Sequence, residues 1–122
     1  MVNKYRIEIE EEITVIHIME EATIDSESLG EIRLSLNKIK DYQKKPLLVF
    51  ANIGTNTSNE ANEILMREGQ MAGEQIVAVV VKNLASRINA NYFKHISKTN
   101  KRVEIFSSES EAREWINKMR RL

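Results

Sequence analysis

The sequence predicts a single α/β domain: an N-terminal β-hairpin followed by β-α repeats, folded into a sandwich around a mostly parallel five-stranded sheet with about four helices. Three observations carry this expectation. Residues 47–51, LLVFA, and 76–81, IVAVVV, are apolar at every position, as strands buried on both faces of a parallel sheet are. Around them run stretches whose apolar residues recur at helical spacing. The 122 residues contain no internal repeat, low-complexity tract or linker, so one domain spans residues 1–122. A chain of this length buries roughly two thirds of its unfolded surface and needs no metal or disulfide staple.

Tyr5, Ile7 and Ile9 alternate with Arg6, Glu8 and Glu10, the pattern of a half-exposed edge strand. Glu11 and Glu12 then separate it from 13–19, ITVIHIM, a β-branched run suited to a more central strand. The pair reads as an antiparallel hairpin. Its acidic turn lacks an Asn-Gly or Asp-Gly signal, so the turn type stays open.

From Asp25 the period changes. Leu29, Ile32, Leu36 and Ile39 form the stripe of a first helix reaching about Tyr42, with Asp25 or the Ser28/Glu31 pair as alternative caps. A lysine run through Lys44 and Lys45 leads to Pro46 and the strand at 47–51; it reads as a solvated helix end or as a contact with an anionic membrane.

After that strand comes a polar loop, 52–58, in which Thr57 with Glu60 forms a capping box for a second helix that buries Ala61, Ile64, Leu65 and Ala72. Gly69 and Gly73 weaken its end. Beyond the strand at 76–81, a third helix over about 84–96 turns Leu84, Ile88, Tyr92 and Ile96 to one face. Residues 101–106, KRVEIF, are a last short strand. Ser108 with Glu111 then caps a fourth helix whose Ala112, Trp115, Ile116 and Met119 make a core stripe. Right-handed crossovers gather the loops beginning near Asn52, Lys82 and Phe106 along the C-terminal edge of the sheet.

The pattern resembles the STAS fold of anti-sigma-factor antagonists, and more closely the SpoIIAA-like bacterial proteins within it. The strand, loop and helix around Thr57 and Ser58 carry part of the likeness. Val81-Lys82, Ser86-Arg87, Ala90-Asn91, Phe93, Val103, Phe106, Ala112 and Trp115-Ile116 carry the rest. The resemblance implies a STAS/SpoIIAA-like sandwich and a phosphoacceptor at Ser58, with Thr57 beside it. It implies a protein partner, an anti-sigma factor or a kinase-like regulator. The antagonists show Asp-Ser-Ser/Thr-Gly before the helix, whereas this chain has Asn56-Thr57-Ser58-Asn59 and so lacks the acidic residue and the glycine.

Composition excludes other classes. There is no cysteine, so disulfides, thiolate catalysis and cysteine-zinc sites are ruled out. Lys plus Arg equals Asp plus Glu at 18 each, so no net field gathers nucleic acid. With no signal-peptide core at the N-terminus and no membrane-length apolar run, a cytoplasmic protein is expected. His-Glu-x-x-His, Walker and Gly-x-Gly-x-x-Gly patterns are lacking, and His17 and His95 have no sequence-near partners. Neither enzymatic activity, a metal nor a cofactor is expected; Glu8/Glu10 and Glu60/Glu63 read as solvated faces.

Thr55, Thr57 and Ser58 are residues that loops and caps favour, and they are also where a phosphate would meet free helix N–H groups. Lys82, Arg87 and Asn91 read either as solvated or capping residues or as an anion- or partner-binding patch, since Arg87 and Asn91 lie one helical turn apart. The expected role is a non-enzymatic regulatory module binding a protein through the loop and second helix. The alternative is a carrier or sensor of a small amphipathic or anionic ligand, because SpoIIAA-like proteins also resemble the lipid-binding Sec14 shape. Homo-oligomerisation and peripheral lipid contact stay open.

Overall fold

The computed structural model describes residues 4–10, 12–52, 54–61, 63–64, 75–81 and 102–121. Its strands are β1 (Tyr5–Ile9), β2 (Thr14–Ile18), β3 (Thr23–Ile24), β4 (Leu47–Ala51), β5 (Asn56–Thr57), β6 (Val77–Val81) and β7 (Val103–Phe106). Helix α1 spans Ser26–Asn37; residues 59–61 and 63–64 are helical and are called α2; α3 spans Glu109–Arg120. The helix expected over 84–96 lies outside the described residues.

The main sheet has the order β1-β2-β4-β6-β7. β1 pairs antiparallel with β2, and the remaining neighbours are parallel, with Thr14, Leu47, Val77 and Val103 in one register row. The central position of the fully apolar strands follows from what covers them. One face packs Ile16 and Leu47 against Ile24, Leu29, Ile32, Leu36 and Ala61, hence against α1 and α2. The other packs Ile13, Val15, Leu48, Phe50, Ala78 and Val80 against Ala112 and Ile116 of α3. A strand between two helical layers has no polar face to spare, which is why alternation is confined to β1.

Helix α1 stops earlier than expected, at Asn37, with Lys38 as its C-cap. Ile39 still packs on the core, but Asp41 adopts a left-handed φ of 59° and a 3-10 turn, Tyr42–Lys44, follows. The apolar stripe continued through a change of backbone, so its period overran the helix. Gln75 holds this turn, its Nε2 donating to the Tyr42 and Lys45 carbonyls at 3.1 Å each. The ring of Tyr42 is partly buried there, and burial raises its hydroxyl's pKa. The last strand begins at Val103, and α3 is capped as expected by Ser108, whose hydroxyl accepts the Glu111 N–H at 3.3 Å.

Trp115 corrects a sequence expectation. It lies on the edge of the α3 stripe rather than inside it, half-buried with its ring 5.5 Å from that of Phe106, while Ala112 and Ile116 take the fully buried places. Among the described residues no helix is long and apolar enough to cross a membrane.

Candidate functional site

The candidate site is the C-terminal edge of the sheet, where β2 and β4 end side by side. Two short turns leave it. After β2 the chain turns through Glu20 and Glu21, the latter at φ 63°, and after β4 through Asn52 and Gly54, at φ 76°. Asn52 joins the two strand ends by donating its side-chain Nδ2 to the Ile18 carbonyl at 2.7 Å. The Thr55 N–H closes the turn on the Asn52 carbonyl at 3.2 Å. Glycine is favoured at Gly54 by its φ, which strains any side chain; a Cβ there would also come within 2.5 Å of the Glu21 carboxylate, the movable end of a flexible chain.

Past the turns, β3 and β5 form a second, two-stranded parallel sheet that sequence patterning missed. Each strand is two residues long, too short to display any period. The Asn56 N–H donates to the Ala22 carbonyl and the Ser58 N–H to the Ile24 carbonyl, both at 3.0 Å. Each strand leads directly into a helix cap, so the pair sets the starts of α1 and α2 next to each other. Asp25 caps α1, its carboxylate accepting the Ser28 N–H at 2.8 Å.

Ser58 caps α2, its hydroxyl accepting the Ala61 N–H at 3.1 Å. This moves the cap one residue beyond Thr57, which instead is the last residue of β5. The Thr57 to Glu60 capping box is therefore not formed. Glu60, one turn along, accepts a 3.4 Å bond from the Ser26 hydroxyl at the start of α1. The only sequence signal for this junction was the β-branched residue ahead of each cap, Ile24 before Asp25 and Thr57 before Ser58.

The electrostatics of the corner are set by carboxylates at the positive ends of two helices. Asp25 has its pKa lowered first by the backbone hydrogen bond from Ser28, with a smaller contribution from Lys4, whose Nζ is 3.8 Å away. Lys4 also donates to the Ser28 hydroxyl at 3.4 Å. Thr55 is buried, whereas Thr57 and Ser58 are half-buried. The structure thus brings Thr55, Thr57 and Ser58 to one corner. Lys82, Arg87 and Asn91 lie outside the described residues, as does His95.

His17 sits away from this corner on the α3 side of the sheet, stacked on Phe50 with ring centroids 4.9 Å apart and 7° between the planes. Its Nε2 is 3.4 Å from Glu8 Oε2, a partner two-stranded pairing supplies and local sequence does not. Glu8 also accepts from Arg6 at 3.0 Å, and Glu10 is bound by Arg113.

A family model described as "Domain of unknown function (DUF7793)" matches residues 7–120. No curated protein and no solved structure matches the chain.

Proposed function

The chain belongs to the DUF7793 family, whose description assigns no function, and from its own residues we propose a non-enzymatic regulatory module of STAS type that docks a protein partner at the corner built by β3, β5 and Ser58. The observation that carries this reading is the position of Ser58. Its hydroxyl is the cap of α2, its N–H is bonded to Ile24, and its neighbour Glu60 touches the start of α1. A phosphate there adds nearly two negative charges at a place already holding Asp25 and Glu60. The helix N–H groups stabilise the new charge locally, while repulsion from Glu60 works against the Ser26 contact. The outward consequence is an altered docking surface: a partner covering the junction must desolvate the phosphate or give up close contact.

Ser58→Asp and Ser58→Ala separate the roles of cap and switch. Aspartate is itself a good N-cap, so Ser58→Asp keeps the stability of the wild type, whereas Ser58→Ala loses about 1 kcal/mol. Part of the protein purified from its own host should carry one phosphate on Ser58, and pull-downs with unphosphorylated bait should show a partner retained by the wild type and lost by Ser58→Asp. Identical partner sets for all three forms, with no phosphate found, would leave Ser58 a cap and nothing more.

A further inference from the structure

We infer that β1 is a self-complementary edge through which two copies of this chain pair antiparallel about Ile7, joining their sheets into one. Among the described residues β1 is the outer strand of the sheet. The Met19 N–H to Lys4 carbonyl bond and the Glu10 N–H to Ile13 carbonyl bond, both 2.9 Å, fix the phase of the β1–β2 ladder. In that phase Arg6 and Glu8 turn their main-chain groups toward β2, and Tyr5, Ile7 and Ile9 turn theirs outward. An edge of this kind presents a ready row of donors and acceptors.

Charges on an edge strand usually prevent pairing, and here they select one register. A closed two-fold contact must be antiparallel and must oppose odd residues to odd residues, so that outward groups meet. Centred on Ile7, it sets Tyr5 against Ile9 of the second copy and Ile7 against Ile7. Arg6 then faces Glu8 of the second copy, and Glu8 faces its Arg6. These lie at the narrow, non-hydrogen-bonded positions where side chains come closest. Flanking Lys4 and Glu10 are also of opposite sign, so the ends add no repulsion. Slipping by two residues, the smallest slip that keeps the outward groups opposed, sets Arg6 against Arg6 or Glu8 against Glu8. Those slipped registers still oppose Lys4 to Glu8 or Arg6 to Glu10, but each puts one like-charged pair on its axis, so the register centred on Ile7 is the one of the three in which every charged pair is of opposite sign.

Two observations fit that occupant. Ile9 is 61% exposed, and a facing Tyr5 would cover it. Arg6 and Glu8 already contact each other at 3.0 Å, so the second copy closes a four-charge ring rather than stranding either group. A contact of five residues per chain is at the small end for protein interfaces, so the dimer is concentration-dependent.

Sedimentation equilibrium tests this with three proteins whose folding is checked by circular dichroism. The wild type should pass from 14.1 kDa toward twice that mass as concentration is raised. Arg6→Glu, which opposes two pairs of glutamates at this register, should stay monomeric at least tenfold higher in concentration. The double variant Arg6→Glu/Glu8→Arg reverses both signs and should dimerise like the wild type. A wild type that remains monomeric to about 1 mM overturns the inference. So does an Arg6→Glu protein that still dimerises, or a folded double variant that does not.

Discussion

Arg113, in the middle of α3, holds both carboxylate oxygens of Glu10, its two terminal nitrogens each 2.9 Å away, and so ties the C-terminal helix to the first hairpin across 103 residues of sequence. The same guanidinium bonds Glu109 at 2.8 Å, and Arg120 adds a second tie to Glu12 at 2.7 Å. Glu10, Glu12, Arg113 and Arg120, with Ile13 and Asn117, line an open cleft of about 250 Å³. Its charges answer one another, which makes it a clasp rather than a ligand site.

The clasp predicts a pH dependence. The hydrogen bond from Arg113 holds the Glu10 carboxyl below its ordinary value of 4.5, and Arg120 does the same for Glu12. A carboxyl lowered by folding stabilises the protein above its ordinary pKa, and that contribution is lost as pH falls through the lowered value. Glu10→Gln should therefore cost about 0.5 to 1 kcal/mol at neutral pH, a figure kept small because both side chains are partly exposed. The gap to wild type should close as the solution is acidified below pH 4.5. Urea melts at several pH values measure it; a gap that persists in acid would show that Glu10 acts through packing.

Helix α3 gives a ranking. Ile116 is fully buried and Trp115 is half-buried against Phe106. Ile116→Ala should cost about 3 kcal/mol, because it leaves a cavity in a closed core. Trp115→Ala, at the rim, should cost about 1 to 2 kcal/mol, since the neighbours it leaves are already in contact with water. Denaturant melts that reverse this order would mean that the Trp115 ring closes the core.

How much of this was legible in the sequence depended on the length of each signal. Strands β4 and β6 showed themselves as unbroken apolar runs, and α3 as a cap followed by a stripe, because burial on two faces or one leaves a periodic trace. The corner did not. β3 and β5 consist of two residues each, and no period fits in two residues. The shift of the cap from Thr57 to Ser58 was equally hidden, since both hydroxyls cap helices well and only the bonding of the Ser58 N–H to Ile24 decides between them. The tie between Arg113 and Glu10 belongs to topology alone.

Gly54 predicts a backbone effect that can be separated from a steric one. At φ 76° an alanine is strained, and its Cβ would also meet the Glu21 carboxylate. The carboxylate is the far end of a flexible chain and can swing away, so most of the loss, about 1 to 2 kcal/mol, comes from the backbone. Gly54→Ala/Glu21→Ala should then recover little relative to Glu21→Ala alone. Full recovery in thermal melts would assign the cost to the collision instead.

Thr14 is fully buried at the start of β2. Its N–H donates to the Pro46 carbonyl at 3.0 Å, but among the described residues its hydroxyl has no hydrogen-bond partner. A buried hydroxyl without one has lost its water and gained nothing in exchange, which costs about 1 to 3 kcal/mol. Valine has the same branched shape and keeps the stiff β-strand rotamer, so Thr14→Val removes the polar atom without opening a cavity. Thr14 shares its side of the sheet with Ile16 and its register row with Leu47, both buried, so the new methyl group meets apolar neighbours. Thr14→Val should raise the midpoint of urea unfolding and leave its slope unchanged, a gain of about 1 kcal/mol. Thr14→Ser serves as the control, because it keeps the hydroxyl and loses the methyl; it should be less stable than the wild type. A Thr14→Val protein less stable than the wild type would show that the hydroxyl is satisfied in solution, and the start of β2 would then owe part of its stability to that bond.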